Sequence, residues 1–204
     1  MATKQYETDA RIAYFGYGSL VNLASLRTPY ITAHPASLTG WQRVWLERSR
    51  VHGSFAPVDN LAFLSVERSE GARIDGMVIE DHASSLPELD RREALYDRQD
   101  VEPSHLHASH GDLPPYKRMF LYVAQTGLAE TEPPPNILRS YLDVVAQGYL
   151  THFGQAGLER FRVSTRNFHF PILEDRHEPI YPRHVTLTEP ERVVIDDLFP
   201  PVSA

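Results

Sequence analysis

The segment from Tyr14 to Leu20 reads YFGYGSL and places two glycines and a serine at the end of an aromatic run. Aromatic residues favour extended structure, whereas glycine weakens a strand and often marks close approach of another backbone or a ligand. Leu20, Leu23 and Leu26 then recur at helical spacing, which predicts a strand, a loop and a short helix. Backbone N–H groups at such a junction can hold an anion or an oxyanion. The alternative is a tight turn whose glycines only satisfy backbone geometry.

Two other uses of this segment do not fit its spacing. A phosphate-binding loop ends in Gly-Lys-Ser or Gly-Lys-Thr, and no lysine follows Gly18. A nucleophile elbow has one residue between its serine and each of the two glycines that flank it. Here Gly18 directly precedes Ser19, and the residue two positions after Ser19 is Val21 rather than glycine. Ser19 is therefore a poor candidate for a serine nucleophile.

A carboxylate in an apolar stripe is the second feature that could do chemistry. The segment 86–96 predicts a helix on which Leu86, Leu89, Glu93 and Tyr96 share one face, so Glu93 points toward the core. Desolvation would raise the pKa of Glu93 toward the range of a general acid or base, and Tyr96 could orient it by a hydrogen bond. The alternative is a structural glutamate neutralised by a distant arginine such as Arg166 or Arg176.

Three histidines lie close together at His105, His107 and His110, followed by Asp112. The His-x-His spacing would place two rings on one face of a strand, as a metal site requires. The run lies between Pro103 and a pair of prolines, however, and we expect a flexible, solvated loop rather than a metal site.

An aromatic and basic stripe is predicted on another strand. Alternation places Trp41, Arg43 and Trp45 on one side, where they could stack a ligand. An arginine that packs its stem over buried indoles is the favoured interpretation.

The elements that must position these residues indicate an α+β protein with a largely antiparallel or mixed sheet, which could close into a barrel. Strands are predicted at 11–17, 38–46, 61–67, 73–80 and 118–124. Helix starts are predicted at a Ser85 and Glu88 capping box, at Asn136 before a helix that ends at Gly154, and at a Thr188 and Glu191 capping box. The long helix places Leu138, Tyr141, Leu142, Val145 and Tyr149 on one face, which predicts a core surface.

Composition limits the class of protein. The chain has 204 residues, 42% hydrophobic and 23% charged, and we expect one globular domain over 1–204 with a helical and extended C-terminal part from about 136. It contains no cysteine, which excludes disulfides, thiolate metal sites and a cysteine nucleophile. The formal net charge of −7 disfavours nucleic-acid binding. The absence of a long apolar run and of a signal-like start predicts a cytoplasmic protein that does not bind membranes.

The two motifs together resemble a known family. The Phe-Gly-Tyr-Gly-Ser-Leu loop at 15–20, followed by Leu-Asp-x-Arg-Glu-x-x-Tyr at 89–96, is similar to the γ-glutamylcyclotransferase-like family. The resemblance extends from Ile12 to about Val123 and is nearest the ChaC-like and uncharacterised bacterial branches. Members share a small, mainly antiparallel mixed β-barrel flanked by helices, use no metal or other cofactor, and convert a γ-glutamyl amide to 5-oxoproline and a free amine.

The resemblance also implies roles for individual residues. Glu93 matches the catalytic glutamate of the family, and the substrate-binding loop matches Tyr17, Gly18, Ser19 and Leu20. Tyr122 lies on the strand where members often present a tyrosine, so it is a further candidate for substrate binding. Tyr96 is also a candidate, although Ala94 and Leu95 precede it where the family often has glycine.

Three functions from different classes follow from the sequence. The first is a cofactor-independent cyclotransferase acting on glutathione, a γ-glutamyl amino acid or a γ-glutamyl amine, with that small molecule as its partner. The second is a noncatalytic binding module in which Glu93 is structural. The third is a metal-dependent hydrolase built on His105, His107 and His110. The leaving amine and the oligomeric state stay open.

Overall fold

The computed structural model of the protein describes residues 10–26, 28–47, 60–116, 118–124 and 134–200. Numbered in chain order, the strands are β1 (Arg11–Gly16), β2 (Thr32–Glu47), β3 (Ala62–His82), β4 (Tyr96–Asp100), β5 (Leu106–Ala108), β6 (Met119–Ala124), β7 (Ile137–Leu138), β8 (Thr165–Arg166) and β9 (Ile172–Leu173). The helices are α1 (Leu86–Arg92), α2 (Arg139–Ser164) and α3 (Glu189–Leu198). The predicted α+β class is confirmed. Within these residues, no helix combines the length and apolar character needed to cross a bilayer.

The main sheet has the strand order β4-β6-β1-β3-β2-β5, and β8 pairs with β2. Most neighbours are antiparallel, while β1 runs parallel to β6 and β2 runs parallel to β8. Among the described strands, no hydrogen-bonded ladder joins β4 to β5 at the two ends of this order. The predicted mixed, mainly antiparallel sheet is therefore present, and its closure into a barrel is not confirmed.

The long hairpin of β2 and β3 differs from the shorter strands that the sequence predicts. The segments 61–67 and 73–80 belong to one strand, and residues 69–72 between them form a bulge opposite the single residue Gly40. Gly40 adopts a φ of 81° where the register shifts between Thr39 and Trp41. A glycine in this left-handed conformation permits a bulge at which the strand bends.

One face of helix α2 is part of the hydrophobic core next to the end of β1. Leu142, Val145 and Tyr149 are fully buried, as predicted for this face, and the helix packs against the turn that follows β1. A Cβ atom at Gly148 would lie 2.7 Å from the backbone nitrogen of Asn22, so glycine is needed for this close approach. The helix is broken at Gly154, whose φ is 65°, close to the predicted end.

The helix caps confirm one prediction and correct two. Thr188 and Glu191 form the predicted capping box of α3. Ser85 does not cap α1, because its hydroxyl instead donates to Asp81 Oδ1 at 2.9 Å. Asn136 does not begin α2, since β7 intervenes. The first turn of α2 is capped from a distant segment by Asp175, whose Oδ1 accepts from the Ser140 N–H at 2.7 Å.

The histidine-rich segment is more ordered than predicted. A 3₁₀ turn at Pro103–His105 leads into β5, which pairs with β2 from Ala36 to Leu38. The interpretation of 105–108 as a flexible loop is therefore wrong, because the backbone of β5 completes the edge of the main sheet. The domain prediction for 1–204 stays a prediction.

Candidate active site

The YFGYGSL segment forms the predicted strand, loop and helical turn. Strand β1 ends at Gly16, where a Cβ atom would lie 2.6 Å from Leu20 Cβ. The chain therefore turns back tightly after the strand, and two 3₁₀ turns follow at Ser19–Val21 and Leu23–Ser25. The first turn is closed by the Val21 N–H, which donates to the Gly18 carbonyl at 2.9 Å. The residues of this loop line a cavity.

Glu93 lies at the end of helix α1. The helix predicted over 86–96 is too long, because α1 ends at Arg92 and Tyr96 begins β4, although the Glu93 N–H still donates to the Leu89 carbonyl at 3.0 Å. The Glu93 side chain is only 15% exposed, so it points inward as the sequence predicts. Its φ of −102° and ψ of 30° lie outside the helical region, so Glu93 is the residue at which the helix ends.

Arg92 is the arginine that neutralises Glu93. Its Nε donates to Glu93 Oε1 at 2.9 Å, and its side chain is 8% exposed. The same guanidinium contacts the Ser25 carbonyl at 3.3 Å and the Ser19 hydroxyl at 3.4 Å. Arg92 therefore joins the end of α1 to the loop after β1.

The arginines considered from the sequence for this role are engaged elsewhere. Arg166 pairs with Glu67, and Arg176 pairs with Asp143. Neighbouring side chains do not face each other along a regular helix, so the sequence does not predict a pair between Arg92 and Glu93. The contact forms because Glu93 has left the helix.

The electrostatics of the cavity favour a proton acceptor beside neutral tyrosines. Burial raises the pKa of Glu93, while the positive charges of Arg92 and then Arg183 oppose this shift. Burial also raises the pKa of Tyr17 and Tyr141 well above the ordinary tyrosine value. At neutral pH both tyrosines keep their protons and can donate hydrogen bonds.

The predicted tyrosines line the site, but their hydroxyl groups have other partners. Tyr17 donates to the Tyr122 carbonyl at 2.6 Å, and Tyr122 donates to Asp90 Oδ1 at 2.7 Å. Tyr96 donates to the Leu64 carbonyl at 3.0 Å. The expected orientation of Glu93 by the Tyr96 hydroxyl is therefore wrong, since Arg92 takes that place.

Two adjoining cavities meet at Ser19, Glu93, Tyr96 and Tyr141. The inner cavity is lined by all the residues selected from the sequence, namely Tyr17, Gly18, Ser19, Leu20, Glu93, Tyr96 and Tyr122. The outer cavity has a volume of about 170 Å³ and is also lined by Arg92, Tyr181 and Arg183. The inner cavity and its wider mouth form one continuous candidate site.

Besides Arg92, three polar lining residues were not predicted as site residues from the sequence, namely Tyr141, Tyr181 and Arg183. Tyr141 was assigned to the core, yet a Cβ atom at Gly18 would lie 3.0 Å from its hydroxyl oxygen. The ring of Tyr141 packs edge-on against that of Tyr181 at a centroid distance of 4.9 Å. A hydroxyl on an otherwise apolar helical stripe was the available signal for Tyr141. Arg183 follows an extended segment and carried no comparable signal.

The histidine segment contributes no residue to this site. Among the residues that the structure describes, no three histidine or acidic side chains are grouped in a way that could hold a metal ion. His107 and His110 are exposed, and β5 lies at the opposite end of the strand order from β4. The two cavity walls hold a carboxylate, arginines and tyrosine hydroxyls, which suit a polar organic substrate.

Comparisons with known proteins identify the fold. No family model and no curated protein sequence matches the chain. A structure of a γ-glutamyl cyclotransferase is 16% identical with a TM-score of 0.58, and the match covers 92% of this chain and 99% of that chain. YkqA from Bacillus subtilis is 17% identical with a TM-score of 0.57, over 82% of this chain and 58% of its own. An uncharacterized Homo sapiens protein is 17% identical with a TM-score of 0.51, over 91% and 98%.

These likenesses confirm the resemblance at the level of the fold. The chain has the α+β fold of γ-glutamylcyclotransferase-like proteins, and nearly the full length of the γ-glutamyl cyclotransferase structure is matched. At 16% to 17% identity, the shared fold defines the architecture around the site and leaves the chemistry to the side chains.

Proposed function

We propose that this protein is a cofactor-independent cyclotransferase that converts a γ-glutamyl amide to 5-oxoproline and a free amine. The observation that carries the proposal is a largely buried carboxylate of raised pKa, Glu93, beside the loop at Gly18 and Ser19 in a shared cavity. A single carboxylate is sufficient for this reaction because the nucleophile and the carbonyl belong to one substrate molecule.

Glu93 acts first as a base and then as an acid. It takes a proton from the substrate α-ammonium, and the resulting amine attacks the γ-carbonyl carbon to form a five-membered ring. As the tetrahedral intermediate collapses, the bond to the amide nitrogen breaks and the leaving amine receives that proton from Glu93. The ring nitrogen then loses its second proton to the Glu93 carboxylate, from which it passes to the product amine to give the ammonium ion. Holding the substrate in this folded conformer can contribute up to about 7–11 kcal/mol by proximity.

The developing oxyanion would be held by groups on the cavity wall. Gly18, Ser19, Leu20 and Tyr141 line the inner cavity, and the N–H groups of the loop and the Tyr141 hydroxyl would donate to the carbonyl oxygen there. The low dielectric of such a site strengthens these hydrogen bonds.

The substrate carboxylate would meet Arg183 at the outer cavity. Arg92 is already engaged by Glu93 and by the loop, whereas no hydrogen bond or ion pair to Arg183 forms among the described residues. A partly buried guanidinium with free donors suits a carboxylate. The sequence predicts that discrimination between γ-glutamyl substrates depends on the segment 48–60 and on the C-terminal tail, and residues 48–59 lie outside those described.

A noncatalytic binding module is the second candidate, and one contact favours it. The ion pair between Arg92 and Glu93 could make this glutamate a structural link between α1 and the loop. The two candidates differ in turnover, since a binding module retains a γ-glutamyl ligand without releasing an amine.

The test is a screen of glutathione, γ-glutamyl amino acids and γ-glutamyl amines with the purified full chain. We expect 5-oxoproline and free amine to appear in equal amounts with at least one of these substrates. Glu88→Gln is a matched control for Glu93, because Glu88 also pairs with an arginine on α1 but is 62% exposed. Binding without release of either product would support the second candidate instead.

A further inference from the structure

A third cavity, separate from the inner and outer cavities of the candidate active site, has a volume of about 580 Å³ and shares no lining residue with them. Its walls carry Arg43 from β2, Arg73 and Asp75 from β3, and Arg160 from α2. Three guanidinium groups therefore face one carboxylate, which leaves an excess of two positive charges. This concentration of charge stands out on a chain whose formal net charge is −7.

Arg43 forms the buried base of this cavity. Arg43 is only 1% exposed. The rings of Tyr149 and Phe161 pack against its guanidinium, with their centroids 5.3 Å and 5.0 Å from Arg43 Cζ. The sequence interpretation of Arg43 as an arginine that reaches solvent over packed indoles is therefore wrong. Burial lowers the pKa of Arg43, since no solvent shell compensates its charge.

The hydrogen bonds of Arg43 fix its orientation without neutralising it. Nε donates to Thr165 Oγ1 at 3.1 Å, Nη1 donates to the Asp75 carbonyl and the Tyr149 hydroxyl, and Nη2 donates to Ser164 Oγ at 2.7 Å. All four acceptors are neutral, and a guanidinium has five N–H donors. One N–H of Nη2 therefore has no acceptor within the described part of the chain.

The remaining charges at the rim are not matched either. Arg160 forms an ion pair with Asp75, which supplies the only carboxylate among the described residues that line the cavity, and its Nε lies 2.8 Å from Asp75 Oδ2. Arg73 donates to the neutral Ser37 hydroxyl at 2.7 Å and forms no ion pair with a described residue. A buried charge without a counter-ion is costly, so an anionic ligand would stabilise this arrangement.

We propose that the cavity formed by Arg43, Arg73, Asp75 and Arg160 is a second binding site, which takes a small ligand carrying a phosphoryl group. A phosphate monoester carries close to two negative charges at neutral pH, which matches the excess of the cavity. The arginines approach from two strands and a helix, as suits a tetrahedral group with several acceptor oxygens better than one planar carboxylate.

Calorimetric titration with inorganic phosphate, at constant ionic strength maintained with chloride, tests the site on the full chain. We expect one phosphate per chain, with Arg73→Gln and Arg160→Gln each weakening binding about tenfold through loss of a charge-assisted hydrogen bond. Both arginines are exposed, so these variants should fold, and a thermal melt checks this. Arg118→Gln is the matched control, since Arg118 is 84% exposed and lines neither cavity.

Asp75→Asn should change the affinity for phosphate in the opposite direction to the arginine variants. It removes the only negative charge of the cavity and releases Arg160, while the Asp75 carbonyl that holds Arg43 is retained. We expect phosphate to bind about tenfold more tightly to this variant. In nuclear magnetic resonance spectra of the wild type, phosphate should also shift the Arg43 side-chain signals.

Any one of four results would overturn the proposal. The wild type does not bind phosphate, both arginine variants bind it as tightly as the wild type, Asp75→Asn binds it more weakly, or the Arg43 signals do not shift at saturation. Tighter binding of succinate than of phosphate under the same conditions would contradict the phosphoryl group and identify a dicarboxylate site.

Discussion

Glu93 and Asp143 are both carboxylates withdrawn from solvent beside an arginine, yet the regions around them differ in what completes their surroundings. Asp143 is 4% exposed and is held by Arg176 through two contacts, at 2.6 Å and 2.8 Å, and Arg176 also reaches Asp196 on α3. Glu93 meets Arg92 through one oxygen, and its side chain borders a cavity.

Burial raises the pKa of Asp143 and of Glu93, and in both cases a neighbouring arginine opposes the shift. The direction of a pKa shift therefore does not separate a structural carboxylate from a catalytic one. The distinction lies in access, because Glu93 lines the outer cavity, whereas Asp143 lines none of the three cavities and is 4% exposed.

The largest effect on stability is expected at Asp143. Asp143→Asn breaks the bidentate pair and leaves Arg176 with Asp196 alone, so we expect unfolding to become easier by about 3 kcal/mol. This is the low end of the range for a buried pair, because Arg176 keeps one partner and is 24% exposed. Denaturant unfolding measures the change, while the rate of 5-oxoproline release per folded molecule should be unchanged.

The largest effect on catalysis is expected at Glu93. Glu93→Gln keeps the shape and an acceptor for Arg92 but removes the proton acceptor, so turnover should fall at least about 10²-fold. The melting temperature should stay close to that of the wild type, because Arg92 keeps its contacts with the Ser25 carbonyl and the Ser19 hydroxyl and can still donate to the amide oxygen of the new side chain. Turnover within a few-fold of the wild type, for every accepted substrate, would remove Glu93 from the mechanism and erase its difference from Asp143.

A change at Gly18 tests whether access to the cavity matters. A Cβ atom there would lie 3.0 Å from the Tyr141 hydroxyl and 3.4 Å from Leu64 Cδ2, and the branched side chain of Gly18→Val would fill the space beside them. We expect both activity and calorimetric binding of 5-oxoproline to be lost, with Gly18→Ala less affected. A Gly18→Val protein that melts normally and still binds 5-oxoproline would locate the substrate elsewhere.

The smallest effect is expected at Ser19. Ser19→Ala removes one hydroxyl, which contacts Arg92 at 3.4 Å, but keeps the backbone donors of the loop. The loss should be about 0.5–1.5 kcal/mol in transition-state stabilisation, as for one hydrogen bond, which steady-state kinetics can measure. A loss as large as that of Glu93→Gln would mean that the hydroxyl itself takes part in the chemistry.

The sequence predicted what depends on neighbouring residues. The strand before Gly16 and the capping box at Thr188 follow from local propensity. Glu93 does point inward, but the helical periodicity that predicted this ends at Arg92. Contacts between distant segments were not predictable in this way. Asp175 caps α2 from 35 residues beyond Ser140, and Tyr141 and Arg183 reach the cavity through packing that no local pattern encodes.

The pH dependence of kcat/KM for 5-oxoproline release tests the central claim most directly, because this quantity reports the pKa of essential groups in the free enzyme. A base must be ionised, so a raised pKa of Glu93 means that activity is lost as the pH falls through that raised value. We predict an acid limb whose midpoint lies above the ordinary glutamate pKa of about 4.3. A wild-type rate that stays constant as the pH falls to that ordinary value would contradict the account.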